Sequence, residues 1–364
     1  MKLLFFISTL SGGGAERVMS SVSNSFSNNP ENDVTIVTDT SQPIVYQFSD
    51  KVRLLDLERG KGDIKGFLSH PRHFLRTLIS IYRYYRKIKP DVVISFQTGM
   101  NGMVNMALFF TKARIISSEH SYYNWKYTRF EEFLRKYFYR RANALTVLTR
   151  HDLKLCCEKG MHNVVYMPNP VHIEPTDDFS RQKIVLAAGR LDAWEVKGFD
   201  MLMQIWGKIC KDKSDWTLQI AGTGSDDSLK YLESIAEKYN CVNVEFLGFR
   251  KDIHQILKRA SVFVLTSRHE GSPMVLLEAM SSGCCCVAFD CETGPNEIIT
   301  NNKNGLLVDA ENVPQFVEKL KKVLEDDHLL MELASKAPSA LKKYSELRVM
   351  RRWNILINKV RRRK

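Results

Sequence analysis

Val262-Phe263-Val264-Leu265-Thr266, then Ser267-Arg268-His269-Glu270-Gly271-Ser272-Pro273, then Met274-Val275-Leu276-Leu277-Glu278, is the stretch on which the fold turns. Its first five residues are apolar or β-branched and read as a strand buried on both faces, as in a parallel sheet. The apolar run after Pro273 contains Ala and Met and stops at Gly283, the pattern of a short helix with a glycine terminator. Pro273 suits the first helical position, where its missing N–H is no loss. A strand, a glycine-containing turn and a helix start together aim backbone N–H groups outward, which makes an anion site. Glu270 falls in the turn, and Glu278 lies about two helical turns further along the same face. Two carboxylates beside such a cradle are poor ligands for phosphate and good acceptors for hydroxyls, such as those of a sugar and a ribose.

Working outward, strands of the same kind recur in both directions. On the N-terminal side they are expected at 2–7, 33–38, 52–57, 91–95, 114–118, 144–148 and 163–166, alternating with helical stretches. A second set falls at 183–188, 217–221, 243–247, 262–266, 286–289 and 305–308. Strands separated by helices predict parallel sheets with helices on both faces. Met167-Pro168-Asn169-Pro170-Val171 and the polar residues up to Ser180 read as a linker. The expectation is an α/β chain of two doubly wound, Rossmann-like domains facing a central cleft. The first spans 1–168, the linker 169–180, the second 181–344, and a basic C-terminal helix at 345–364 packs back on the first domain.

Composition narrows the function. A length of 364 residues suits two domains, and 44% hydrophobic with 26% charged residues is the balance of a globular, water-soluble chain. No apolar run reaches the roughly 18 residues of a membrane span. Met1-Lys2-Leu3-Leu4-Phe5-Phe6-Ile7 is shorter than a signal-peptide core and runs into glycines where a cleavage site belongs. It reads as a first buried strand of a cytoplasmic protein. Eight cysteines, including Cys284, Cys285 and Cys286 in a row, form no Cys-x-x-Cys pair and read as free, mostly buried thiols. The net charge of +12 is lopsided: residues 1–168 hold 24 Lys and Arg against 14 Asp and Glu, the remainder 29 against 27. The first domain therefore faces something anionic.

Several loops follow predicted strands. Gly12-Gly13-Gly14 lets the backbone approach a ligand closely. It is not a dinucleotide fingerprint, because Arg17 occupies the third glycine position and Asp39 is an ambiguous ribose partner. In the second domain Gly189-Arg190-Leu191-Asp192 precedes Lys197-Gly198-Phe199-Asp200. Arg190 offers a planar fork of donors and Lys197 a compact charge, a pair suited to a diphosphate. Ala221-Gly222-Thr223-Gly224 and Leu247-Gly248-Phe249-Arg250 each follow a strand, and His120 follows a strand of the first domain.

In this order the landmarks resemble the retaining glycosyltransferases of family 4, which have the two-domain GT-B fold. The Gly-Gly-Ala-Glu-Arg form at residues 13–17 is similar to members that build bacterial O-antigen, capsule and lipid-linked oligosaccharides. The resemblance covers most of the chain. It implies that Glu270 contacts the donor sugar, Glu278 holds the ribose, and Arg190 and Lys197 neutralise the leaving nucleoside diphosphate. It further implies donor contacts at Gly13, Gly14, Gly189, Gly222, Gly224 and Gly271-Ser272-Pro273-Met274-Val275, with the base held around Phe249 and Arg250. His120 would lie by the donor sugar, donating a hydrogen bond or sharing charge. No metal or other cofactor is expected, since Arg190, Lys197 and helix N-termini supply positive charge; the nearest thing to the Asp-x-Asp of metal-dependent sugar transferases is Asp290-Cys291-Glu292.

One helix, at 71–89, is expected to be amphipathic. Arg72, Arg76, Arg83, Arg86 and Lys87 fall within about 100° of arc, with Phe74, Leu75, Leu78, Ile81, Tyr82 and Tyr85 opposite. Five cations without an acid fit an anionic membrane or a lipid-linked pyrophosphate. The stretch 125–141 has the same flavour through Arg135, Lys136, Arg140 and Arg141, diluted by Glu131 and Glu132. No nucleic-acid-binding signature is present. The expected protein is a retaining glycosyltransferase at the inner face of the cytoplasmic membrane. It would move a hexose or N-acetylhexosamine from a UDP-sugar to a polyprenyl-diphosphate-linked saccharide. The alternatives are a UDP-sugar epimerase of the same shape and a non-catalytic nucleotide-sugar or lipid-binding protein.

Overall fold

The computed structural model describes residues 1–58, 71–124, 127–172 and 181–362. Contacts divide the chain into two units, Met1–Pro170 with Leu347–Lys364, and Val171–Glu346. Residues 173–180 of the expected linker, Trp125 and Lys126 of the second basic stretch, and the last two residues lie outside the described ones. Val171, expected in the linker, is buried in the second unit, where its N–H donates to Tyr344 O at 2.9 Å.

The first unit holds β1 (Lys2–Phe6), α1 (Gly14–Ser27), β2 (Asp33–Thr38), β3 (Val52–Asp56), α2 (Pro71–Ile88), β4 (Val92–Phe96), α3 (Thr98–Ala107), β5 (Ile115–Ser118), α4 (Arg129–Phe138), β6 (Ala144–Val147), α5 (Arg150–Glu158) and β7 (Val164–Tyr166). The second holds β8 (Gln182–Ala188), α6 (Trp194–Lys197), α7 (Phe199–Gly207), β9 (Thr217–Ala221), α8 (Asp226–Lys238), β10 (Val244–Gly248), α9 (Ile253–Arg259), β11 (Ala260–Leu265), α10 (Met274–Ser281), β12 (Cys285–Asp290), α11 (Pro295–Ile298), β13 (Leu306–Asp309), α12 (Val313–Glu325) and α13 (Asp327–Ala340). The closing helix α14 (Glu346–Arg362) packs, from Leu347 on, within the first unit.

Both sheets are parallel throughout. Their orders are β3-β2-β1-β4-β5-β6-β7 and β10-β9-β8-β11-β12-β13. In each, the first strand in sequence lies inside the sheet, flanked by the second and the fourth. The chain therefore reverses its winding direction between β1 and β4, and again between β8 and β11. Such a switch point opens a crevice outside the carboxyl ends of the strands, where ligands of this architecture bind.

Side-chain alternation explains why both faces are covered. Val185, Ala187, Val262, Val264, Cys285 and Val287 enter one core of the second unit, while Ile184, Leu186, Phe263, Leu265, Cys286 and Ala288 enter the other. The three consecutive cysteines are thus divided between two cores by the period of a strand. All eight cysteines are free, and burial pushes the Cys285 thiol up to about 12. Phe263 is fully buried, a site where truncation to Ala costs about 3–5 kcal/mol.

Pro273 precedes α10 rather than opening it, and its carbonyl accepts from Leu276 and Leu277 N–H at 3.1 and 3.2 Å. Glu270 therefore lies outside the helix, and it shares no helical face with Glu278. On α2 the inward side is narrower than its pattern implied: Ile81 is buried as expected, but Leu75 and Tyr82 join Ile79 among the exposed residues, and Thr77 and Ser80 are buried instead. The described helices include none long and apolar enough to cross a membrane.

Candidate active site

At the switch point of the second unit, the segment after β8 meets the segment after β11. Lys197 Nζ lies 2.8 Å from Glu270 Oε1, with side-chain exposures of 23% and 9%. Ser267 Oγ donates to the same Oε1 at 2.6 Å, and Thr293 Oγ1 donates to the Glu270 carbonyl. The two segments are stapled together beneath this pair. The Arg268 guanidinium grips Asp200 through two bonds of 2.8 and 2.7 Å and reaches Glu311 at 2.9 Å. Its bond to Asp200 pushes it above its ordinary basicity. Arg268 N–H donates to Val196 O at 2.8 Å, and Thr266 Oγ1 to Lys197 O at 3.0 Å.

This closeness needs glycine at two places. Gly198 sits at φ 64°, and a Cβ there would lie 1.9 Å from Thr266 O. A Cβ on Gly222 would lie 1.8 Å from Gly189 O. Gly189 is crossed by the Lys197 stem, and Gly224 abuts Leu191 and Asp192. Asp192 holds the Gly224 turn by accepting from Ser225 N–H, Ser225 Oγ and Ser228 Oγ, each at 2.8 Å. Arg190 is exposed, and its side chain has no ion pair among the described residues.

Beside the pair, α10 presents its N-terminal end. The N–H groups of Gly271, Ser272, Met274 and Val275 donate to no acceptor among the described residues. An unsatisfied helix start next to a lysine, with the exposed Arg190 just past the end of β8, is a positive site. Glu278 is buried within α10. Phe249 is exposed, and the half-exposed Arg250 guanidinium is paired with Asp252 at 2.9 and 2.7 Å. Of Asp290-Cys291-Glu292, Cys291 is buried and Glu292 exposed. Among the described residues no three His, Cys, Asp or Glu side chains gather at a point.

The first unit has its own switch-point cluster. Gly13 precedes α1, and its N–H, expected to face a ligand, donates instead to Tyr46 Oη at 3.1 Å, whose hydroxyl returns a 2.8 Å bond to Gly13 O. Gly14 is the first residue of α1. The buried Glu16 carboxylate lies against Gly13 and accepts from Gln97 Nε2 at 3.1 Å. An acid there makes the loop a better host for hydroxyls than for phosphate. Gln97, at the end of β4, holds φ 73° and ψ 143°, a sparsely populated conformation for a non-glycine residue. Such strain collects at functional sites.

His120 follows β5, with its ring stacked on Phe96 at 4.6 Å and Phe96 in turn on Trp353 of α14 at 6.2 Å. Thr146 Oγ1 donates to Ser118 Oγ at 2.7 Å, which leaves the Ser118 proton for His120 Nε2 at 3.0 Å. The ring proton is thereby assigned to Nδ1, which is buried without a hydrogen-bond partner among the described residues. Burial pushes His120 down to about 3, so the imidazole is neutral and the charge-sharing role expected of it gives way to hydrogen bonding alone.

Sequence reasoning missed the residue next door. Glu119 is buried and accepts from Tyr139 Oη, from Thr98 Oγ1 at 2.7 Å and from Asn101 Nδ2 at 3.3 Å. This network fixes the His120 turn from below. Its donors lie on α3 and just past α4, too far along the chain for any local pattern to reveal. On α2, Arg83 pairs with Glu58 at 3.1 Å, so the five-cation stripe is answered by one acid from the segment after β3.

Comparison with known proteins adds an independent line. The family model "Glycosyltransferase Family 4" matches residues 12–175, and "Glycosyl transferases group 1" matches residues 171–342. The chain is 30% identical over 373 residues to the amylovoran biosynthesis glycosyltransferase AmsD of Erwinia amylovora, covering 98% of this chain and 99% of that protein. It is 28% identical over 368 residues to a Campylobacter jejuni enzyme, GalNAc-alpha-(1->4)-GalNAc-alpha-(1->3)-diNAcBac-PP-undecaprenol alpha-1,4-N-acetyl-D-galactosaminyltransferase, with 99% of both covered. The apo structure of the lipopolysaccharide outer core galactosyltransferase WaaB shares the fold, with a TM-score of 0.76 at 22% identity over 99% of both chains.

Proposed function

The chain belongs to the glycosyltransferases of GT-B fold, related to bacterial enzymes of polysaccharide and lipid-linked saccharide synthesis, and on that footing we propose that it is a retaining transferase using a UDP-sugar. The sugar moved is a hexose or N-acetylhexosamine, and the acceptor is a saccharide on a polyprenyl diphosphate. The observation that supports this reading best is the Lys197–Glu270 pair at the β8/β11 switch point, beside the unsatisfied N–H groups that open α10.

In this mechanism the donor diphosphate draws on the Lys197 ammonium, the Arg190 guanidinium and the N–H groups of Met274 and Val275. Glu270, its neighbour engaged, accepts from the sugar hydroxyls, and Glu278 from the ribose. Backbone at Phe249 and Arg250 holds the base. As the bond from the anomeric carbon to the diphosphate oxygen breaks, its electron pair stays on that oxygen. Charge fixed in advance around the oxygen lowers the barrier without reorganisation. The acceptor hydroxyl attacks from the same face and gives its proton to the departing phosphate oxygen, so the products are a glycoside of retained configuration and UDP. These cations take the place of a divalent ion. In the first unit, Gly13 and Gly14 beside Glu16 suit hydroxyls, and neutral His120 offers its Nδ1–H to a sugar oxygen. The exposed cations Arg72, Arg76, Arg86 and Lys87 support seating of this unit on an anionic inner-leaflet surface.

The test is a mass-spectrometric screen of UDP-sugars with and without a synthetic polyprenyl-diphosphate saccharide. Mass gain on the acceptor supports transfer. Conversion of the nucleotide sugar without acceptor, or binding without product, contradicts it.

A further inference from the structure

The first unit displays apolar rings where a folded domain has no use for them. Phe110, in the turn that follows α3, is 97% exposed. Its ring meets Phe109 edge-on at 5.0 Å, Phe109 meets Phe138 at 5.5 Å, and Phe138 meets Phe133 of α4 at 6.0 Å, with Tyr137 alongside at 4.9 Å. Phe109, Phe133 and Tyr137 are exposed as well. This is a continuous aromatic ridge on the outside of the protein.

The ridge is built rather than loose. The Arg141 guanidinium donates to the carbonyls of Phe109, Thr111 and Ala113 at 3.2, 2.6 and 3.0 Å, which ties down the turn that carries Phe110. Three charge-assisted bonds to carbonyls on either side of Phe110 fix the backbone from which its ring projects. Its surroundings are cationic: Lys112, Arg129, Lys136 and Arg140 are exposed nearby, against Glu132 and the capping Glu131. From Phe133 the ring contacts continue through Phe130 to Phe74 of α2, at 6.4 and 5.6 Å. There Leu75, Ile79 and Tyr82 form an exposed apolar stripe among the arginines of that helix. Apolar rings with a polar edge, framed by lysine and arginine, match the boundary between headgroups and acyl chains.

We propose that the ridge centred on Phe110 is a membrane-insertion surface, which sinks into the headgroup–acyl boundary of an anionic bilayer. This deepens the reading that the first unit faces such a membrane: the cations bring the protein to the surface, and the rings hold it there. Anchoring of this kind outlasts salt, which screens the charges and leaves apolar burial in place.

The full chain is floated with vesicles of phosphatidylethanolamine and phosphatidylglycerol, at low salt and at 0.5 M NaCl (roughly three times physiological ionic strength). Phe110 touches little of the fold, so Phe110→Ser leaves the unit intact. The expected result is a loss of about tenfold or more in partitioning at both salt levels. Arg76→Glu with Arg83→Glu should weaken it chiefly at low salt. In Phe110→Trp, vesicles should shift the added indole emission to the blue, and brominated acyl chains should quench it. If Phe110→Ser partitions like the parent, or the added indole ignores vesicles, the insertion proposal falls while the charge-based reading stands. If only the Arg variant binds like the parent, the basic-helix reading falls and insertion stands. A parent that never floats overturns both, and a ridge variant that changes only the oligomeric state assigns the surface to a second copy of the chain.

Discussion

Lys197→Met separates the charge of Lys197 from its packing. The lysine stem crosses Gly189, close enough that a Cβ there would lie 3.1 Å from Lys197 Cγ, and Met preserves that contact. What disappears is the ammonium 2.8 Å from Glu270 Oε1. Removing one partner of a fully buried pair costs about 3–5 kcal/mol. Lys197 is about a quarter exposed, so water recovers part of that, and about 1–3 kcal/mol is expected. In a unit of this size such a loss lowers Tm by roughly 3–9 °C. Catalysis should suffer more. A fixed positive group at the departing oxygen is worth about 10²–10³ in kcat, and the loss should fall on kcat rather than KM if it acts in the transition state. Lys197→Met with Glu270→Gln removes both charges, so it should regain most of the stability and none of the activity. Initial rates by UDP release and thermal unfolding by circular dichroism read the two effects. Turnover of Lys197→Met within about tenfold of the parent would refute the assignment, however the stability behaves.

Gly198→Ala should destabilise the second unit by about 3 kcal/mol or more, since left-handed backbone adds to a Cβ lying 1.9 Å from Thr266 O. Gly99→Ala, with nothing within 4 Å, is the control, and urea unfolding should show it neutral or mildly stabilising. His120, held near 3 when folded and about 6.5 when unfolded, leaves the unfolded chain with more bound protons between those pH values, so stability rises with pH there. That contribution is complete above about 6.5 and is lost as pH falls toward 3. His120→Gln should flatten the acid limb of urea midpoints against pH, and an imidazole seen by NMR to titrate near 6.5 would contradict the buried neutral ring. Transfer should continue in excess EDTA, measured by UDP release; activity lost to EDTA and restored by Mg²⁺ or Mn²⁺ would return the diphosphate to a metal.

The thirteen strands of the described residues are legible, because each is a short, largely apolar run in a parallel sheet, and several are followed by glycine loops that mark the strand end. The switch points then placed Lys197 and Glu270 at neighbouring strand ends. Their contact was not legible, since it joins residues 73 apart through the Arg268–Asp200 staple. The Glu119 network has no local signature for a similar reason: its donors come from two separate segments, α3 and the turn past α4. The exposure of Leu75 and Tyr82 is not legible on α2, because a helical wheel reports periodicity and not which flank finds a neighbour. The strain at Gln97 has no local signature at all; glycine is the residue that would have announced it.

The most direct measurement is a structure of the protein with UDP bound. The diphosphate is expected at the carboxyl ends of β8 and β11, within bonding distance of Lys197, Arg190 and the first N–H groups of α10, with the ribose on Glu278. A nucleotide bound elsewhere, or a diphosphate held away from Lys197, would contradict it.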